Sequence, residues 1–246
     1  TIAAGAAGGA LWALIPGVLK AFLAVNEILS SLLLNYIAII FMEHLYFGPW
    51  RNPEGYGFPG TAQLAEAARI PHFFGTRIHL GLVLALILAV IFFGALRYTR
   101  WGFRVRAIGL NQRAARYAGF KIKGQIIVVM LLSGALAGIA GMAEVSGIHF
   151  RLQQGLAVGY GYDGIIVAWL ARLNPLAVPL MALLLGALIV GGEHLQAVLH
   201  LPASISMVLE AVLLFGLLLS EALARYRLVR RPAADSIPAT QEETPS

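Results

Sequence analysis

Between Arg97 and Lys123 the chain reads RYTRWGFRVRAIGLNQRAARYAGFKIK, with Arg97, Arg100, Arg104, Arg106, Arg113, Arg116, Lys121 and Lys123 and no acidic residue. Apolar runs flank it on both sides, residues 78–96 before and 124–143 after. Each is close to the roughly 20 residues that carry a helix through a bilayer. Lys and Arg beside membrane spans collect on the cytoplasmic side, so residues 97–123 are expected to form a cytoplasmic loop. The loop also carries the signals of local structure. Asn111 is placed to cap a short helix over 112–118, and Gly119 suits the left-handed position that ends one. A structured basic loop of this kind suits the docking of a soluble partner.

Composition supports a membrane protein. The chain is 59% hydrophobic and only 12% charged, with a mean hydropathy of +0.78. Soluble domains carry about 25% charged residues. The apolar runs are continuous rather than alternating, which predicts an all-α polytopic transmembrane helical bundle and argues against a barrel. A net charge of +6 would suggest nucleic acid in a soluble protein, but here the charges sit beside apolar spans and topology accounts for them. No nucleic-acid partner is expected. The absence of cysteine excludes disulfide scaffolds and thiolate metal sites.

In chain order, residues 2–19 are rich in Ala and Gly, interrupted by Pro16-Gly17, and suit a closely packed membrane helix. Lys20 marks a cytoplasmic turn, and Asn26 can cap a helix over 27–47. Residues 48–77 form an external loop, turn-rich at first and with a short polar helical stretch around 61–68. The span at 124–143 contains Gly134-x-x-x-Gly138, a spacing that allows close helix contact but is weak as a dimer motif. Residues 144–161 are irregular and Gly-rich, and 163–172 are apolar but half the length of a span. That pairing predicts a broken helix, tolerated at membrane depth only where protein or a watery cavity covers its backbone. Spans at 176–192 and 203–223 follow, separated by an external turn holding His194, His200 and Pro202. The membrane region therefore covers 1–231, and residues 232–246 are expected to be a disordered cytoplasmic tail. This topology puts fourteen of the eighteen Lys and Arg inside. The chain opens at Thr1 without a methionine, and missing upstream helices are expected.

Polar residues within or beside the apolar spans are the functional candidates, because an ionisable group in hydrocarbon costs a few kcal/mol on insertion scales. Glu43, His44, Glu193 and His194 lie near helix ends, where snorkelling explains them. Glu27 either faces a polar pathway or complements a helix N-terminus. Asn35 either lines a pathway or bonds between helices. Glu144 and Asp163 are expected to face the cavity, and Glu210, seven residues into its span, to be functional or internally paired. Enzymatic arrangements are missing: there is no HExxH, and the His spacing fits no ligand set. GFKIKG at 119–124 is followed by Gln125 rather than Lys-Ser/Thr, so it is not a phosphate-binding loop. Asp163 is the only Asp before the tail, which leaves no pair of membrane aspartates for proteolysis.

The stretches GFRVRAIGLNQRAARYAGFKIK and LSGALAGIAGMAEV resemble permease subunits of ABC importers of the branched-chain amino acid and simple-sugar class. NEILSSLLLNYIA and EVSGIHFRLQQGLAVGYGYDGIIVAWLARLNP are similar to the nucleoside and simple-sugar permeases that work with a basic-membrane-protein type lipoprotein. The resemblance spans about 10–227. It implies a multi-pass subunit of a bacterial inner membrane that imports nucleosides or related sugars. Its implied partners are a second permease subunit, a cytoplasmic ABC ATPase, an external substrate-binding lipoprotein and membrane lipid. ATP would bind the ATPase, and no cofactor would bind this chain. By position, Asn111–Gly119 would be the coupling helix, with Ala114, Ala115 and Ala118 as a small face seating in a groove and Arg104, Arg106, Arg113 and Arg116 orienting the contact. A branched-chain amino acid permease and a proton-coupled transporter using Glu144, Asp163 or Glu210 are the alternatives.

Overall fold

A computed structural model of the chain describes residues 1–55, 59–72, 79–156 and 159–199, together with 208, 211–212, 215–216, 219–220 and 223. Among these residues the protein is helical, with no strand. The helices are α1 (Ile2–Leu23), α2 (Glu27–Phe47), α3 (Leu80–Tyr98), α4 (Arg100–Leu110), α5 (Gln112–Tyr117), α6 (Ile122–Glu144), α7 (Tyr160–Leu170) and α8 (Val178–Leu199). α1, α2, α3, α6 and α8 are long and apolar enough to cross a bilayer. The chain is therefore a multi-pass helical membrane protein. It divides into two compact units, Thr1–Leu183 and Leu184–Ser246. The helix pair and the clefts described below belong to the first.

The first unit is organised around an antiparallel pair, α1 against α6. Gly5 and Gly9 of α1 meet Gly138 and Gly134 of α6, so that two Gly-x-x-x-Gly surfaces face each other. A Cβ on Gly9 would overlap the Gly134 carbonyl oxygen, and one on Gly138 would overlap that of Gly5. Further along, Gly17 lies against Met130, and the Lys123 ammonium stands 4.9 Å from the centre of the Phe22 ring. The spacing read as a weak dimer motif is thus used within the chain. Hydrocarbon supplies no hydrophobic drive between helices, and close backbone contact through small residues replaces it.

Several expectations change. Helix α1 is not interrupted at Pro16-Gly17 but runs through both, which are buried on the side facing α6. A neighbouring helix shields the backbone that proline leaves without a donor, which is why membrane helices tolerate it. The polar stretch at 61–68 is not a helix. Only Glu66–Ala68 makes a single 3-10 turn, because the preceding amides bond elsewhere: Thr61 N–H donates to Leu152 O (2.9 Å) and Leu64 N–H to Phe150 O (2.7 Å). Helix α8 continues through His194 to Leu199, since 193–199 contain no helix breaker. His200, Pro202, the span at 203–223 apart from scattered positions, the tail arginines and residues 232–246 lie outside the described residues.

Replacing Gly138 with Leu is expected to lower the thermal midpoint of the detergent-purified protein, through an overpacking cost of roughly 1–3 kcal/mol. Gly8→Ala, where a Cβ meets open space, serves as the control and should leave the melt unchanged. Equal melts for both variants and the parent would remove the α1–α6 seam as a determinant of stability.

Candidate functional site

Two features converge near the start of α2. Asn26 caps the helix by accepting from the Ile28 amide at 2.9 Å, which sets the first turn and the orientation of Glu27. Glu27, Ser31 and Asn35 then recur at every fourth residue and form a polar stripe on one face of an otherwise apolar span. The stripe opens on a cleft of about 680 Å³. Across from it stand Met130 and Ser133 of α6, and Tyr160, Tyr162 and Ile165 of α7. Asn35 makes no hydrogen bond among the described residues, although it sits about 12 Å along the helix from Glu27 at 1.5 Å per residue. An amide at that depth with no protein partner is available to a ligand.

The half-length helix delivers the tyrosines. α7 has 11 residues, about 16 Å, roughly half the thickness of the hydrocarbon core. Gly159, at φ +91°, starts it in the left-handed region, and Arg172 and Leu173, at φ +50° and +57°, end it. The backbone before α7 differs from expectation. α6 extends to Glu144 and continues as one wider π turn, Val145–His149, before Phe150 reverses the chain at φ +55°. The irregular stretch therefore begins at Phe150. Its backbone is satisfied by the loop between α2 and α3: besides the two bonds above, the Leu152 amide donates to Thr61 Oγ1 (3.1 Å) and the Ile70 amide to Ser146 O (2.9 Å).

Of the acidic candidates among the described residues, only Glu27 lines the cleft. Glu144 is not among its lining residues, and its Oε1 lies 3.4 Å from His149 Nδ1. Asp163 occupies the first turn of α7, where a carboxylate complements the helix N-terminus, one step round from the lining residues. Glu210 lies outside the described residues. Glu27 also forms an ion pair with Lys20, Nζ to Oε2 2.6 Å, across the α1–α2 turn.

The basic loop is two helices, of which only the second was legible. Thr99 caps α4, its hydroxyl accepting from the Gly102 amide at 3.1 Å. Asn111 caps α5, its Oδ1 accepting from the Arg113 and Ala114 amides at 3.0 and 3.1 Å, and Gly119 follows at φ +79°. The small face expected of Ala114, Ala115 and Ala118 does not form as one surface. Ala115 is 4% exposed and packs with Ile108 of α4 and Ile122 of α6, seven residues away on either side. The open side of α5 instead presents Arg113, Ala114, Arg116, Tyr117 and Ala118. Between this corner and α1, a smaller cavity of about 220 Å³ is lined by Ile108 and Gln112 together with Lys20 and Glu27. Glu27 thus touches both the cleft and the basic corner.

Residues 1–218 match the family described as branched-chain amino acid transport system / permease component. The chain belongs to that permease family. It is 35% identical over 231 residues to the glucose ABC transporter permease protein of Haloferax volcanii, covering 89% of this chain and 60% of that protein. Over 222 residues it is 35% identical to the guanosine ABC transporter permease protein of Bacillus subtilis, covering 87% and 62%. A nucleoside ABC transporter permease protein of Lactococcus lactis shares 28% identity over 218 residues, covering 84% and 59%. The chain therefore spans about three-fifths of the length of these curated relatives. No solved structure matches it.

In this permease, Ser31, Ser133, Tyr160 and Tyr162 line the cleft without having been singled out from sequence. The signal for Ser31 was present, since Glu27, Ser31 and Asn35 share one helix face. Nothing local marks Ser133 or the tyrosines, whose placement depends on how α6 and α7 pack. Because the chain has no cysteine, each introduced thiol is unique. Asn35→Cys and Ser133→Cys are expected to react with a small membrane-impermeant thiol reagent, whereas Leu33→Cys, on another face of α2, is protected because only a hydrated thiolate reacts. Protection of Asn35→Cys would show the cleft to be dry.

Proposed function

We propose that this chain is the membrane-spanning permease subunit of an ATP-binding-cassette importer that carries nucleosides or related simple sugars into the cytoplasm. The observation that carries this reading is the cleft: a stripe of Glu27, Ser31 and Asn35 facing Ser133 and two tyrosines across about 680 Å³. Its volume falls in the range of small-molecule sites, about 300–1,000 Å³. Hydroxyl-rich solutes match a wall of hydroxyl, amide and carboxylate groups, and aromatic rings offer flat faces to a sugar or a base. The glucose and guanosine permeases similar to this chain are consistent with that chemistry.

The fold also offers a route for energy. ATP would bind a separate cytoplasmic ATPase, with no cofactor on this chain. The ATPase would seat on the open side of α5, through Arg113, Ala114, Arg116, Tyr117 and Ala118, with Arg104 and Arg106 alongside and Asn111 and Gly119 fixing the helix ends. Ala115 serves the inner side of the same device, since it packs α5 onto Ile108 and Ile122 at the foot of α6. A push on α5 would reach Ser133 along α6 and the Lys20–Glu27 pair through the small cavity between them. A second permease subunit would complete the pore. An external binding lipoprotein would deliver solute to the face where loop residues 59–72 bond to 146–153. The setting would be a bacterial inner membrane.

The test is uptake into proteoliposomes holding the full-length complex. ATP-dependent uptake of labelled guanosine or glucose, insensitive to a protonophore, is expected, and Asn35→Leu should cut it by about tenfold or more, the cost of an unpaired ligand group. Tyr117→Glu should lose the co-purifying ATPase while the permease stays folded. Uptake of leucine but not of nucleosides or sugars would move the substrate class to amino acids. Uptake without an ATPase, abolished by the protonophore, would overturn the importer in favour of proton coupling.

A further inference from the structure

We propose that the cleft at the cytoplasmic end of α3 binds the phosphate of an anionic phospholipid. Arg97, Arg100, Arg104 and Arg106 all border this one cleft, which has a volume of about 450 Å³. No acidic residue occurs anywhere in 97–123, and among the described residues none of the four guanidinium groups forms an ion pair. Positive charge beside a span is ordinary topology, but topology does not require the charges to gather in a single concavity. Four like charges drawn together repel one another, and a bound anion relieves that repulsion. Guanidinium is also the group that grips phosphate oxygens in pairs. The α4 N-terminus opens into the same cleft through Thr99 and Arg100 and adds its own positive end.

Depth and shape favour a lipid over a soluble anion. The floor of the cleft is Phe103 edge-on to Phe120, with ring centres 6.4 Å apart, and Phe120 is anchored on the buried Ile108–Ala115–Ile122 cluster. Tyr98, 77% exposed, stands at the rim where a membrane span gives way to the interface, a depth that aromatic side chains favour. An apolar groove of about 830 Å³ runs between α3, α6, α7 and α8, with residues from Gly81 to Leu96 as its α3 wall. Arg97, the next residue of α3, borders the basic cleft. The same helix thus walls a space that suits an acyl chain and, at its C-terminal end, a place for a phosphate. Basic pockets at the cytoplasmic ends of spans are known to hold anionic headgroups. A free phosphate would use only the second feature, and an acidic protein surface would meet the open side of α5 first.

The experiment uses the full-length permease purified with its partner subunits and stripped of lipid in a zwitterionic detergent. Phosphatidylglycerol, phosphatidylcholine and inorganic phosphate are titrated separately, with native mass spectrometry and thermal melts as readouts. Phosphatidylglycerol is expected to be retained at low stoichiometry and to raise the melting temperature, and phosphatidylcholine at equal concentration to do neither. The double variant Arg97→Gln, Arg100→Gln should weaken phosphatidylglycerol binding by about tenfold or more, the scale of lost charge-assisted hydrogen bonds. Lys121→Gln with Arg172→Gln, which removes the same charge outside the cleft, should not. If the first pair fails to fold, Arg104→Gln alone repeats the test, and unchanged affinity there overturns the site. Equal loss in both pairs would show diffuse attraction, and inorganic phosphate binding as tightly as the lipid would show a soluble-anion site. Loss of the ATPase partner from Arg97→Gln, Arg100→Gln with lipid binding intact would make the cleft a protein contact. Each of these three results refutes the proposal.

Discussion

The glycine seam between α1 and α6 is the contact from which the rest of the first unit takes its position. Two membrane helices gain nothing by hiding apolar surface from lipid, so their association depends on how closely the backbones approach. Gly5 and Gly9 against Gly134 and Gly138 remove every side chain that would hold them apart. The antiparallel register that follows brings the C-terminal end of α1 beside the N-terminal end of α6, where Lys123 meets Phe22. Lys20 at that end of α1 pairs with Glu27 across the turn, beside the Asn26 cap where α2 begins. The stripe of Glu27, Ser31 and Asn35 faces Ser133 because α6 is held to α1 at this distance.

A second constraint acts at the opposite end. Backbone that leaves helical geometry at a membrane boundary must find partners for its amides and carbonyls. The π turn after α6 and the reversal at Phe150 create such backbone, and the loop between α2 and α3 satisfies it through Leu64, Thr61 and Ile70. α7 begins at Gly159 as a half-helix, with Tyr160 and Tyr162 lining the cleft. Loop residues 60–70 and residues 146–153 form one hydrogen-bonded face.

Much of the candidate site was legible wherever a residue acts through its own neighbourhood. Asn111 and Gly119 mark the two ends of α5 because capping depends on three or four consecutive residues, and both ends were as read. Glu27 and Asn35 stood out because polar groups in a span are costly. Residues whose role depends on a distant partner were misjudged or missed. Ala115 looked available beside Ala114 and Ala118, yet the packing of α5 against Ile108 of α4 and Ile122 of α6 buries it. Glu144 looked free to face a cavity, yet the π turn carries His149 to it. The helix α4 was overlooked although Thr99 signals its start, since the density of arginines read as a loop.

By itself the sequence determined that this protein is helical, that it crosses a membrane several times, and that an acid-free basic stretch joins two of its spans. Those properties follow from run length, hydropathy and charge, each of which is summed along the chain without knowledge of contacts. Tertiary structure alone decided which helices touch, that Gly134-x-x-x-Gly138 serves an internal seam, and which polar side chains share a cleft. Those outcomes depend on a rotation of about 100° per residue and on backbone separations of a few ångströms, and a one-residue change in either reassigns every face.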